Sequence, residues 1–187
     1  LMRVGVLGFQ GSVEEHVLSL KKLNIETVKV KNIDTLAKVS GIVLPGGEST
    51  THIKLLKETG LFDPLKKIIS EGLPTLATCA GLILLASKID TGQDALNVLD
   101  IEVIRNGYGS QLFSFVEDIN ILGFNEPFRA VFIRAPIIKS IGKNIDALAR
   151  DSKGNICFIK SNKILGSTFH PELTEDLRVH KMFIDLI

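Results

Sequence analysis

The stretch Gly72-Leu-Pro-Thr-Leu-Ala-Thr-Cys-Ala-Gly-Leu-Ile-Leu-Leu-Ala86 decides how the rest of the chain is read. Pro74 to Thr78 is short and mostly apolar, the pattern of a buried strand, and Gly81 to Ala86 reads as the first turns of an apolar helix with no charge before Lys88. Cys79 then falls at the turn between them. A backbone that doubles back so sharply needs small side chains around the turn, and Ala77, Ala80 and Gly81 supply them. A nucleophile on such an elbow stands at the carboxyl end of a sheet, beside the free N–H groups of a helix amino terminus, where a thiolate is favoured. The alternative is a small buried hydrophobe, the usual fate of a free cysteine.

The totals narrow the class. At 187 residues, 45% hydrophobic and 23% charged, the chain is expected to form one globular domain spanning residues 1–187 with a sizeable core. A net charge of +1, with Lys and Arg scattered along the chain, leaves no electrostatic footprint for nucleic acid. Cys79 and Cys157 are the only cysteines and show no metal spacing, which favours a reducing cytoplasm and calls for no metal or cofactor. The first residues run straight into strand-like Arg3 to Gly8 with no signal peptide expected, and no apolar run approaches the ~18 residues of a membrane span.

Outward from the elbow, the amino-terminal half alternates strands and helices. Val4 to Leu7 is an apolar run ending in Gly8-Phe-Gln-Gly11, and Ser12-Val-Glu-Glu15 has the form of a capping box opening a helix to about Leu23, with Val13, His16, Val17 and Leu20 as its inner stripe. The glycines fall at 5, 8 and 11 and do not make the dinucleotide-binding fingerprint; Glu26 to Val30 leads into Lys31 and not into an acidic ribose ligand. Asp34 to Val39 reads as a short helix, and Gly41 to Leu44 as a strand running into Pro45-Gly-Gly-Glu-Ser-Thr-Thr51, where Ser49 or Thr50 is placed to cap a helix over Thr51 to Lys57. Another helix is expected over Asp63 to Glu71. Beyond Gly92 the pattern changes to short strands over Val98–Ile104, Gln111–Val116, Arg129–Ile133, Ile145–Ala149, Ile156–Ile159 and Ile164–Phe169. The fold class is therefore α/β, with antiparallel strands in the C-terminal half.

Three loops carry chemistry. Arg105 and Arg134 each stand at a strand end, where a guanidinium can hold a carboxylate; the alternative for each is a surface ion pair. In Phe169-His-Pro-Glu172, Pro171 is expected to keep the chain extended, so that Glu172 projects to the same side as His170 and holds one ring nitrogen while the other faces a thiol. His16, His52 and His180 have no such setting and read as helix-face residues. A thiol, an imidazole and a carboxylate form a Cys79-His170-Glu172 triad for acyl transfer, with N–H groups of Ala80 and Gly47 as the oxyanion hole.

The blocks Gly8-Phe-Gln-Gly11, Pro45-Gly-Gly-Glu-Ser-Thr-Thr51, Thr78-Cys-Ala-Gly-Leu-Ile-Leu-Leu85, Arg105-Asn with Gly109 and Gln111, Phe132-Ile-Arg-Ala-Pro136 and Phe169-His-Pro-Glu-Leu-Thr-Glu-Asp176 resemble the glutaminase subunits of pyridoxal 5′-phosphate synthase, a branch of the class I (triad) glutamine amidotransferases. The resemblance implies a three-layer, flavodoxin-like fold with a mostly parallel central sheet flanked by helices. It also implies hydrolysis of L-glutamine through a glutamyl thioester on Cys79, with ammonia passed to a TIM-barrel synthase subunit in a large hetero-oligomer. Gly47, Glu48, Ser49, Arg105, Ile133 and Arg134 match the glutamine-contacting positions, Arg105 for the α-carboxylate and Arg134 mainly through its backbone; Gln10 matches a position near the subunit interface. Ala77 and Gly107-Tyr108 depart from the pattern. Competing readings are a glutaminase serving another synthase, such as that of histidine biosynthesis, and a non-catalytic protein on a related cysteine-elbow fold, which needs no His-x-Glu.

Overall fold

A computed structural model describes residues 2–109 and 113–187. The amino-terminal half alternates as its periodicity requires: β1 (Arg3–Leu7), α1 (Val13–Lys22), β2 (Glu26–Val30), α2 (Ile33–Leu36), β3 (Gly41–Leu44), α3 (Ser49–Glu58), α4 (Phe62–Ser70), β4 (Thr75–Thr78) and α5 (Ala80–Leu85). Strands then follow one another: β5 (Ala86–Ile89), β6 (Leu99–Ile104), β7 (Ser114–Ile119), β8 (Phe128–Ile133), β9 (Ile137–Ile141), β10 (Asp146–Arg150), β11 (Ile156–Ser161) and β12 (Ile164–Ser167). A 3₁₀ turn, Pro171–Leu173, and α6 (Arg178–Ile184) complete the chain.

Among the described residues ten strands form one sheet in the order β2-β1-β3-β4-β12-β11-β9-β6-β5, with β10 paired to β11. From β2 to β12 every pairing is parallel, and β11 and β9 turn the sheet antiparallel before a parallel β6–β5 edge. Successive residues of a strand point to opposite faces. Leu7, Ile42, Leu44 and Ala77 accordingly pack with α2, α3, α4 and α5, whereas Val6, Val43 and Leu76 pack with α1, α6 and the β7–β8 hairpin. The result is the expected layered sheet, with antiparallel strands contributed by the C-terminal half.

Within the parallel part of the sheet, chain order reverses at β1. β1 lies between β2 and β3, so the connections leaving β1 and β3 diverge to opposite sides of the sheet and leave a crevice at their carboxyl ends, where ligands of open α/β sheets bind. β4 and β12 are the next two strands, so the loops after Leu7, Leu44, Thr78 and Ser167 open side by side.

Four local expectations are revised. The apolar helix after Cys79 has only six residues, and Ala86 starts a strand; Leu96 and Val98 N–H donate to the carbonyls of Leu84 and Leu85, closing the helix end. Ile137–Ile141 is a further strand, absent from the expected set. The helix near Asp34 starts at Ile33 and is capped by Asn32, whose side chain accepts from Thr35 N–H. The strand expected over Gln111–Val116 is found at Ser114–Ile119, and Gln111 itself lies outside the described residues. No helix among the described residues is long and apolar enough to cross a membrane, and no cluster of His, Cys, Asp or Glu there is placed to hold a metal ion.

Candidate active site

Cys79 leaves β4 with φ +51° and ψ −108°, a left-handed backbone that a side-chain-bearing residue adopts only under constraint. The constraint is visible on both sides. Its N–H donates to Ser167 O on the neighbouring strand at 2.8 Å, and its carbonyl accepts from Leu82 and Ile83 in the first turn of α5. Gly81 lets α5 lie against β3, since a Cβ there would come within 1.9 Å of Leu44 O. The sulfur is nearly buried and hydrogen-bonds to Ile133 O at 3.7 Å.

His170 arrives three residues after β12. Its N–H donates to Val131 O on β8, and its ring packs on the glycine loop so closely that a Cβ on Gly46 would lie 2.5 Å from the ring carbon Cε1. Nδ1 sits 2.6 Å from Glu172 Oε1. The extended segment expected from Pro171 is confined to His170 itself; Glu172 reaches the ring from within the 3₁₀ turn, where Pro171 occupies the first position. Burial alone would lower the imidazole pKa, but hydrogen bonds and charge from Cys79 and Glu172 push it up to about 10. Burial would likewise raise the Glu172 carboxyl, yet the proximity of His16 and His170 and the hydrogen bonds from His170 and Ser12 hold it at about 2. Glu172 therefore faces the ring as a carboxylate.

Ser12 corrects the capping-box reading. It precedes α1 but makes no side-chain cap there; its hydroxyl donates to Glu172 Oε1 at 2.7 Å, 160 positions along the chain. The cap after the glycine loop is likewise Glu48, and not Ser49 or Thr50: its carboxylate accepts from Thr50 and Thr51 N–H. Although burial opposes it, these bonds and those from the threonine hydroxyls set Glu48 at about 2.

Opposite the sulfur lies a polar cluster. Arg105 donates through one terminal nitrogen to Glu48 Oε1 at 3.0 Å and through the other to Gln93 Oε1 at 2.8 Å, and Gln93 bonds the buried Ser49 hydroxyl. Gln10 clamps the backbone of Glu48 in both directions, accepting its N–H and donating to its carbonyl. Arg134 also has positive φ, +44°, held by its N–H to Phe113 O, and its guanidinium lies over the Phe113 ring. Cys79, Ala80, Gly47, Glu48, Ser49, Arg105, Ile133, Arg134 and His170 line one cavity of about 340 Å³, with Leu173 at its edge. Gln10 and Glu172 stand just behind its wall. Gln93 and Ser12 join the site without any local sequence signal for that role, and His16, His52 and His180 lie on α1, α3 and α6 as expected and are wholly buried. A thiol, an imidazole already oriented by a carboxylate, and an arginine–glutamate pair across a small cavity suit attack on the acyl carbon of a substrate bearing both charges of an amino acid.

The model of the SNO glutamine amidotransferase family matches residues 6–187. The chain belongs to that family. It is 50% identical over 188 residues, covering all of both chains, to the pyridoxal 5′-phosphate synthase subunit PdxT of Thermotoga neapolitana, and 52% identical over 187 residues, 98% of this chain and 97% of the relative, to the PdxT of Dictyoglomus turgidum. A crystal structure of a glutamine amidotransferase superposes with a TM-score of 0.93 at 42% identity, over 98% of this chain and 97% of that one. PurLQS from Thermotoga maritima shares the fold at a TM-score of 0.70 and 17% identity, over 98% of this chain and 98% of that one.

Proposed function

We propose that this chain is the glutaminase subunit of a pyridoxal 5′-phosphate synthase, hydrolysing L-glutamine to L-glutamate and ammonia at Cys79 and delivering the ammonia to a synthase subunit. The observation that carries the proposal is the meeting of Cys79 and the Glu172-held imidazole of His170 at one cavity, in a chain about half identical, end to end, to proteins named PdxT.

Substrate binding follows from the charged wall. Glu48 and Arg105 now neutralise each other. A zwitterionic amino acid can enter between them, its α-carboxylate on Arg105 and its α-ammonium on Glu48, so that one ion pair becomes two. This directs the δ-carboxamide toward Cys79. Cys79 Sγ attacks the δ-carbon, His170 holds the thiol's proton on the nitrogen that Glu172 leaves free, and the tetrahedral oxyanion is met by the N–H groups of Ala80 and Gly47, each donor worth on the order of 3 kcal/mol. The C–N bond then breaks as His170 gives its proton to the departing ammonia. Water attacks the thioester with His170 as base, and glutamate leaves the regenerated thiol.

The mouth of the cavity supports a partner. Ile133 and Leu173 of its lining expose apolar side chains, as does Phe113 under the Arg134 guanidinium, a surface suited to cover by a TIM-barrel synthase subunit within a large hetero-oligomer. Cover would keep ammonia from escaping, and two unpaired cysteines suit a cytoplasmic setting. The test is glutamate release with and without the synthase subunit. The isolated chain is expected to turn over slowly and to be stimulated on complex formation, because the partner completes the oxyanion hole; equal turnover in both states would contradict this.

A further inference from the structure

Behind Glu172, on the side away from the cavity, lies a buried pair of histidines that the reaction as described does not use. Glu172 Oε1 already receives the Ser12 hydroxyl and faces His170 Nδ1. Oε2 is buried without a hydrogen bond of good geometry, and the polar group facing it is His16 Nε2 at 3.4 Å. His16 Nε2 also lies 3.2 Å from the Thr78 hydroxyl, one residue before Cys79, and His16 Nδ1 lies 2.9 Å from His180 Nε2. His16 comes from α1, His180 from α6, Thr78 from β4 and Glu172 from the 3₁₀ turn, and both histidines are wholly buried.

The carboxylate facing His16 Nε2 decides where the protons of this pair sit. Two imidazoles 2.9 Å apart share one proton between the facing nitrogens. If His16 Nδ1 held it, the bare Nε2 lone pair of neutral His16 would face a carboxylate oxygen, and His180 would carry its own hydrogen on Nδ1, which has no partner. If His180 Nε2 holds it, His16 carries its hydrogen on Nε2, which meets the Thr78 hydroxyl oxygen at 3.2 Å with Glu172 Oε2 3.4 Å away, and His180 Nδ1 is left with an unused acceptor lone pair. The second arrangement gives both ring hydrogens an acceptor and turns a hydrogen, not a lone pair, toward the carboxylate. Desolvation, opposed by the charges of Glu172 and Glu15 and reinforced by His170, keeps His16 neutral, so His16 offers an N–H dipole and no charge. Burial and the nearby His16, against the pull of Glu172, keep His180 neutral as well.

We propose that His16, held in this tautomer by His180, is a positioning residue for the relay: its Nε2–H takes up Glu172 Oε2 and so turns Oε1 onto His170. The proposal rests on Cys79, His170 and Glu172 being the catalytic relay. Two measurements on the full chain test it. In ¹⁵N-histidine NMR, His16 is expected to stay neutral and protonated on Nε2 between about pH 5 and 9; a hydrogen on Nδ1, or titration within that window, overturns the proposal. The second measurement follows alkylation of Cys79 by a glutamine-mimicking chloroketone against pH.

His16→Leu is expected to slow labelling at neutral pH on the order of tenfold. It should also move the acidic limb to higher pH, because Glu172 without its donor protonates more readily and releases the imidazolium. His16→Gln, which keeps an N–H at that place, should restore the rate and profile of the native chain. Native-like labelling by His16→Leu, or equal impairment of both variants, overturns the proposal. Labelling that survives Cys79→Ala overturns instead the relay on which the proposal rests. Should His16→Leu fail to fold, the NMR result decides.

Discussion

Cys79 directly follows β4 and Cys157 lies in β11, with a single strand, β12, between those two strands; both are buried free thiols, and their settings differ. Cys79 stands where β4 ends, on a left-handed backbone at the cavity, with an imidazole beside it. Cys157 sits within β11 with no exposed surface; burial, and behind it the charges of Asp151 and Glu117, push its thiol well above the ordinary range. The end of a parallel strand exposes a side chain to converging loops and to the free amides of the next helix, whereas the middle of a strand surrounds it with neighbours. Reactivity here is a property of position along the strand.

The largest effect separates the two thiols outright. Cys79→Ala should reduce glutamate release by the synthase complex by about 10⁴-fold or more, while Cys157→Ala leaves it nearly unchanged and costs about 1 kcal/mol of stability. Steady-state turnover together with denaturant melts checks both; a comparable loss of activity in Cys157→Ala would erase the contrast.

A second prediction attacks the geometry that makes the difference. Gly81→Ala puts a methyl group against the Leu44 carbonyl, a backbone atom that cannot turn aside. Either α5 moves off β3 or the elbow opens, at a cost of about 3 kcal/mol. Urea unfolding should register the loss, and alkylation of Cys79 should slow with it. A variant with native stability and reactivity would show that the tight turn is dispensable.

The smallest effect contrasts His170 with the other histidines. His170 is raised to about 10, so its contribution to stability is complete below about pH 6.5 and is lost as the pH climbs through about 10. His16, His52 and His180 are lowered by burial, which has the opposite sign: the unfolded chain takes up protons that the folded chain refuses. Stability therefore falls as the pH drops below about 6.5, by at most about 1.4 kcal/mol per pH unit for each histidine. Neither ring nitrogen of His52 makes a hydrogen bond of good geometry. His52→Leu should flatten the acid side of the stability profile and add about 1 kcal/mol at neutral pH; an unchanged slope would mean that His52 is protonated in the fold.

Much of this was legible in the chain because it is written in local chemistry. The small residues around Cys79, the two glycines after Leu44 and His170-Pro-Glu172 each announce a loop at a strand end, and alternating strands and helices bring such ends to one edge. What stayed hidden depends on partners far away in sequence. Ser12 has the spacing of a helix cap, but its hydroxyl turns to a carboxylate 160 positions away. His16 fits an apolar stripe, and nothing local reveals that α6 and the 3₁₀ turn will enclose it with His180 and Glu172. Gln93 lies in a loop without periodicity, and its role appears only once Arg105 and Ser49 meet there. Glu48 caps α3 in place of the serine and threonine beside it because a longer side chain reaches back to both amides.

The central claim is that glutamine is opened by the sulfur of Cys79. The direct measurement is to mix the synthase complex with glutamine, quench it in acid within a turnover, and map the intact chain and its peptides by mass spectrometry. A glutamyl group on the Cys79 peptide, absent from the Cys157 peptide and lost in Cys79→Ala, is the predicted result. Turnover with no acyl group on Cys79, or with one carried on another residue, would contradict the account.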